Sequence, residues 1–228
     1  MKLKYLFLYI GLSCFIHTIK AQEQDHSGIL GETSFVLNYS ATSNYNISFT
    51  SRSRYFLFEN KTFGFQQQQL DIFHMSTFTL SSSNRIGVGL YYRHRDVFES
   101  GSDELRFMQQ FKYQKHKARV SFGHRFRTEQ RILESKTIFR QRYRFSANFP
   151  ISGHNEDVEA PYVLCYFEGL LSLSKPDAPE IDQRTAVYLG WHFGKQLKFK
   201  TGIEYRLERF NLTSRNYLFF LNTLSLSI

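Results

Sequence analysis

The chain has 228 residues, with 29 Lys and Arg against 20 Asp and Glu, an aromatic fraction of 17% and four prolines. That length allows one domain with a sizeable core or one closed barrel, and the composition excludes a disordered or linker-rich chain. Two cysteines, Cys14 and Cys165, are too few for a disulfide scaffold.

The first predicted element is a leader. Lys2 and Lys4 form a basic start, Tyr5 to Ile16 an apolar stretch, and Ala21 before Gln22 a small residue at a cleavage point, so residues 1–21 read as a secretory signal. The apolar stretch is short for a bilayer span, and Gly11-Leu12-Ser13 before Cys14 is a poor lipidation match. Cleavage removes three of the 29 bases, Lys2, Lys4 and Lys20, which leaves 26 against 20 acids and a single cysteine. Export without a disulfide suits a bacterial envelope protein. No later run of about 18 apolar residues exists, so a membrane location requires a closed β-barrel.

Residues 22–44 read as a lead-in. Phe35, Leu37, Tyr39 and Ala41 alternate as in a strand, but a wall strand here brings the count to eleven, and bacterial single-chain barrels have even counts. The run is therefore expected to lie outside the wall or to pair in part; the alternative is a barrel of twelve with one strand unrecognised.

From Tyr45 to Ile228 the apolar residues recur at period two. Tyr45, Ile47 and Phe49 oppose Thr50, Arg52 and Arg54. Leu70, Ile72, Phe78 and Leu80 oppose Phe73 and Met75, and this run has no clear polar face. Ile86, Val88, Leu90 and Tyr92 oppose Arg85, Arg93 and Arg95. Leu105, Phe107 and Phe111 oppose Glu104, Arg106, Gln110 and Lys112. Phe122 and Phe126 oppose Arg125, Arg127, Glu129 and Arg131, and Phe139, Tyr143 and Phe145 oppose Arg140, Arg142 and Arg144. Cys165 and Phe167 then oppose Tyr166 and Glu168, Val187 and Leu189 oppose Arg184 and Tyr188, and Ile203 and Tyr205 oppose Lys200, Glu204 and Arg206. Leu218, Phe220, Leu224 and Leu226 share one face of the last run. These are about ten runs of a dozen residues, each rising roughly 30 Å when tilted, enough for an outer-membrane hydrocarbon band.

Short turns are expected at Ser81–Asn84, Gln114–Lys117, Pro150–Asp157 and Gly194–Gln196, and longer links at Glu59–Gln68, Asp96–Asp103, Leu133–Lys136, Ser174–Asp182 and Asn211–Asn216. Short turns on one side and long loops on the other are the outer-membrane pattern. A soluble β-sandwich also alternates. Run length, aromatics near the strand ends and a polar face of Arg and Glu favour the membrane.

The predicted fold is all-β: a transmembrane antiparallel up-and-down β-barrel over residues 45–228, of about ten strands, with twelve as the alternative. Its candidate lumen residues are Arg52, Arg54, Arg93, Arg106, Arg125, Arg127, Glu129, Arg131, Arg140, Arg142, Arg144, Glu168, Arg184, Glu204 and Arg206. Glu104, Glu129, Glu168, Glu204 and Glu208 are placed to bridge arginines on neighbouring strands, because an enclosed guanidinium without an acceptor costs several kcal/mol. A complete Arg–Glu network would plug the barrel and fix register; an excess of inward cations would make an anion-favouring pore or ligand site.

Other chemistry has less support. His74, His94, His116, His124, His154 and His192 are scattered, and no HExxH, GxSxG, P-loop or CxxC motif occurs, so an outer-membrane lipid-modifying enzyme ranks third. Bases and aromatics segregate to opposite faces, which argues against nucleic-acid binding. No cofactor or metal is expected. The expected partners are outer-membrane lipid, the outer-membrane assembly machinery and a small anionic solute, with the protein a monomer in the outer membrane of a Gram-negative bacterium.

RFRTEQR (Arg125 to Arg131), FRQRYRFS (Phe139 to Ser146), YFEG (Tyr166 to Gly169) and QRTAVYLGWHF, with ELRFMQQF (Glu104 to Phe111) before them, resemble the domain-of-unknown-function family 2490. The resemblance implies an exported outer-membrane barrel of the kind found largely in Bacteroidetes, and it implies no activity. Where that family's layout leads one to expect a Trp opening the first strand, this chain has Tyr45.

Overall fold

The computed structural model describes residues 27–59, 62–95, 103–151 and 161–228. The predicted signal lies outside the described residues. Eleven strands follow one another: β1 (Ser27–Thr42), β2 (Tyr45–Glu59), β3 (Thr62–Thr79), β4 (Asn84–Arg95), β5 (Glu104–Lys117), β6 (Val120–Leu133), β7 (Thr137–Pro150), β8 (Tyr162–Leu173), β9 (Glu180–Phe193), β10 (Leu197–Glu208) and β11 (Arg215–Ser227). Each pairs with the next, and β1 pairs with β11, so the sheet closes on itself. Closure satisfies the backbone groups that an edge strand would leave open.

Two expectations are corrected here. The run containing Phe35, Leu37 and Tyr39 is a full wall strand, β1, so the barrel has eleven strands in place of ten and begins before residue 45. Tyr45 accordingly opens the second strand, not the first. An odd count of up-and-down strands forces the first and last to run the same way. The β1–β11 ladder is parallel, from Ser27↔Asn216 to Asn38↔Ser227, while the other ten ladders are antiparallel. Alternation survives the seam: Leu30 and Ser34 stand beside Phe219 and Thr223 on the inner face, and Phe35 and Leu37 beside Leu224 and Leu226 on the outer.

The connections also differ in length from the expected alternation. We call the rim that carries the start of β1 the front rim and the other the back rim. At the front, β3 already starts at Thr62, so most of the supposed Glu59–Gln68 link is strand, and Leu133–Lys136 is a tight link closed by a Leu133 N to Lys136 O bond of 2.9 Å. At the back, β5 runs through Gln114–Lys117 and turns at Ala118, whose φ of 52° supplies the left-handed position of a two-residue hairpin. The Pro150–Asp157 turn becomes a connection from Ile151 to Pro161, with residues 152–160 outside the described set. Register shifts in β2 near Arg54 and Phe56 fall on the stretch that carries the β2–β3 hairpin past the last β3–β4 pair, Gln69↔Arg95.

Burial is inverted relative to a water-soluble sheet protein. Phe35, Phe49, Val88, Phe126 and Phe139 are each 51–59% exposed on the outer face, whereas Asp71, Glu129 and Glu168 are 0% exposed inside. One inward glycine shows how tightly the wall packs: Gly190 lies under the ring of its cross-strand neighbour Tyr162, where a Cβ would stand 2.2 Å from a ring carbon.

An arginine-lined lumen as candidate functional site

The site begins with cross-strand registry. Arg125 faces Arg144 across β6–β7 and Lys112 across β5–β6; Arg127 faces Arg142, Arg106 faces Arg131, and Arg184 faces Arg206. Directly opposed like charges are unfavourable in a sheet, so each pair needs an acceptor between its members. The inward carboxylates supply it. Glu104 accepts from Arg106 Nε and Arg131 Nε, both at 2.5 Å, and from Arg95 at 3.1 Å. Glu129 accepts from Arg142 at 2.8 Å, with Arg106 and Arg127 at 3.6 and 3.7 Å. Glu168 takes Arg125, Arg142 and Arg144 at 2.7, 2.5 and 3.0 Å.

The rest of the wall follows the same rule. Asp71 binds Arg93 through two bonds of 2.9 and 3.2 Å and also accepts from the Gln69 amide. Glu32 on β1 takes Arg54, Arg52 and Arg206 at 2.9, 3.3 and 3.6 Å. Glu204 accepts from Arg206 and from the Tyr166 hydroxyl. Desolvating each ion costs several kcal/mol, and shared bidentate contacts offset that cost only when several donors surround each carboxylate. Aromatic faces add a second layer of support: Arg144 stacks 3.6 Å over Tyr166, Arg206 3.6 Å over Phe219 and Arg106 4.3 Å over Tyr91.

The network lines a space and does not fill it. A cavity of about 780 Å³ runs inside the barrel from front-rim residues such as Lys136, Glu180 and Arg209 to Thr50, Lys200 and Thr223. Its lining has fifteen arginines and two lysines against six carboxylates. Asp71, Glu104 and Glu168, buried behind the lining, raise the acids to nine, and cations remain in excess. The Nε–H groups of Arg54, Arg125, Arg127, Arg142 and Arg184 are buried without a hydrogen-bond partner among the described residues. Buried donors are ordinarily paired with protein, water or ligand, so these mark where the lumen has donors to spare.

All fifteen residues singled out from the sequence stand on the inner face, thirteen as direct lining or partners of Glu129 and Glu168, and those two carboxylates at the centre of arginine clusters. Glu32, Asp71 and Asp182 were not among them, although Glu32 and Asp71 anchor four arginines and Asp182 faces Arg140 at 3.7 Å. Among the described residues the histidines do not gather, and His154 lies outside them. His124 is on the outer face, hydrogen-bonded to the Tyr143 hydroxyl at 2.8 Å, and His94 Nδ1–H donates to Asp103 at 2.6 Å near the front rim.

Comparison with curated proteins and with solved structures yields no match. A family model described as a protein of unknown function, DUF2490, matches residues 33–217. That span runs from within β1 to the start of β11 and takes in nearly the whole wall and its arginine network, so the chain belongs to the DUF2490 family.

Proposed function

We propose that this chain is an outer-membrane β-barrel of a Gram-negative envelope whose lumen takes up small anions. One observation carries the reading: charge is inside, apolar surface is outside, and the inner cavity of about 780 Å³ is lined by more cations than carboxylates. The outer face supports the membrane part, since water-soluble monomers rarely expose contiguous apolar patches beyond a few hundred Å², and here every strand contributes large apolar side chains. The predicted signal at residues 1–21 supports export. Inside, an arginine wall with uncommitted Nε donors favours anions over cations by charge and by geometry.

Protein refolded into a planar bilayer under a KCl gradient tests the reading. The expected result is a current that reverses on the chloride side of zero. Two apolar clusters inside the wall, Leu30 with Tyr166, Tyr188, Phe219 and Leu221, and Met75 with Tyr91 and Met108, favour a second reading in which the lumen binds anions without conducting them. A silent bilayer with retained anion binding selects that second reading, and cation selectivity overturns both.

A further inference from the structure

The cations of the lumen are not evenly matched. Around Arg93, Arg106 and Arg131 near the front rim, Asp71 and Glu104 are close at hand. Farther from that rim the balance changes. Lys200 on β10 has no carboxylate partner among the described residues, and its ammonium rests 4.7 Å from the Tyr188 ring. The charges acting on it from across the lumen are those of Arg144, Arg52 and Arg125, with Glu32 as the opposing acid. All four cations line the same cavity, and they come from four strands, β10, β7, β2 and β6.

Their carboxylates are already shared. Glu32 serves Arg52, Arg54 and Arg206, Glu168 serves Arg125, Arg142 and Arg144, and Glu204 serves Arg206. With Lys200 that makes seven cations over four acids, since Arg142 also donates to Glu129. The Nε–H groups of Arg54, Arg125 and Arg142 in this group are buried and have no acceptor among the described residues. Like charges held together inside the wall repel, and the shared carboxylates leave more positive charge here than one further negative charge balances. A compact oxyanion supplies more: it brings two or more charges and several acceptor oxygens, the match for converging guanidinium edges and an ammonium. The Tyr166 ring supports Arg144, whose Nε and Nη2 donate to Glu168, and the Tyr188 ring supports Lys200, which has no carboxylate partner among the described residues.

We infer that Lys200, Arg52, Arg125 and Arg144 form a binding site for a compact oxyanion of charge −2 or more, a phosphate group either free or carried on a small solute. The inference rests on the reading that the lumen takes up anions, and it adds where they stop and what charge they carry.

Titration calorimetry of the protein refolded in detergent micelles tests it, with inorganic phosphate, glycerol 3-phosphate and acetate as probes. Saturable one-to-one phosphate binding is expected, with acetate much weaker. Lys200→Met should weaken phosphate binding roughly tenfold, Lys200→Arg should restore it, and Lys195→Met, at an exposed residue of the β9–β10 turn outside the cavity lining, should leave it unchanged. Folding is monitored by heat-modifiable gel mobility. Lys200→Met removes a cation that has no carboxylate partner, so its mobility shift should stay intact and phosphate should no longer raise its unfolding temperature as it does for the parent protein. Tighter binding of glycerol 3-phosphate than of phosphate assigns the site to an organic phosphate, and the reverse to free phosphate. Phosphate affinity untouched by Lys200→Met, or acetate binding as tightly as phosphate, overturns the site. If chloride current persists without any phosphate binding, the site is wrong and the anion-selective lumen stands; if both are absent, both fail.

Discussion

Glu104 shows what a single side chain does in this wall. It is 1% exposed, and the Nε–H groups of Arg106 on its own strand and Arg131 on β6 reach it at 2.5 Å. Replacing it by Met would leave two directly opposed guanidiniums without their shared acceptor. Breaking a buried ion pair from one side typically costs about 3–5 kcal/mol, so Glu104→Met should lower the urea midpoint of the refolded barrel far more than Lys200→Met. A near-neutral effect would mean that water already screens this part of the lumen. Asp103, between β4 and β5, is the counterpart in solvent. Hydrogen bonds from His94 and then from Tyr92 hold its carboxyl below the usual carboxylate range. A depressed folded value means that the contact stabilises above the ordinary Asp range, near 4, and is lost as pH falls through the folded value. A carboxyl-carbon NMR titration should place the Asp103 midpoint below that of a free aspartate, and His94→Gln should raise it more than Tyr92→Phe.

Whole elements were legible in the sequence where one face is polar throughout. In β5, β6 and β7 arginines and glutamates alternate with Phe, Leu and Tyr, and both the strand and its inner face follow from period two alone. β3 is ambiguous, because Leu70-Asp71-Ile72-Phe73-His74-Met75 puts two apolar residues and one polar residue on each face. Registry decides it: Asp71 lies between Arg52 and Arg93 on the neighbouring strands, which turns Phe73 and Met75 inward and leaves Ile72 53% exposed. β1 was misassigned for a different reason. Its alternation is plain, but the even strand number of bacterial single-chain barrels argues against an eleventh wall strand, and Glu32 belongs to the site only once β1 belongs to the wall. The outer face gives the element-scale prediction. Phe126 is at the middle of β6 and 56% exposed, so in a bilayer Phe126→Arg should cost about 2–4 kcal/mol, while Phe126→Leu changes little. Measured folding into lipid vesicles separates the two, and equal tolerance of both variants would place that face in water.

Closure is the property of the whole molecule on which the lumen depends, and it rests on the parallel seam between β1 and β11. Without β1 the barrel would open between β2 and β11, Glu32 would be absent, and Arg52, Arg54 and Arg206 would lose their shared carboxylate. The seam also places the start of β1 and the end of β11 at opposite rims, which an even-stranded barrel does not do. Its register is specific enough to test with cysteines. Leu37 and Leu226 are paired and share the outer face, while Ser225, one residue away, is turned to the other face. Neighbouring strands bring paired Cα atoms to about 5 Å, within reach of a disulfide. In a Cys165→Ser background, L37C with L226C should cross-link on mild oxidation after refolding, and the cross-linked protein should resist heat unfolding in the gel assay. L37C with S225C should not cross-link, because a one-residue step in a strand moves the thiol through the wall. Cross-linking of both pairs would indicate a loose or sliding seam. Cross-linking of neither would return β1 to a lead-in outside the wall, and the lumen would then have to balance its arginines without Glu32.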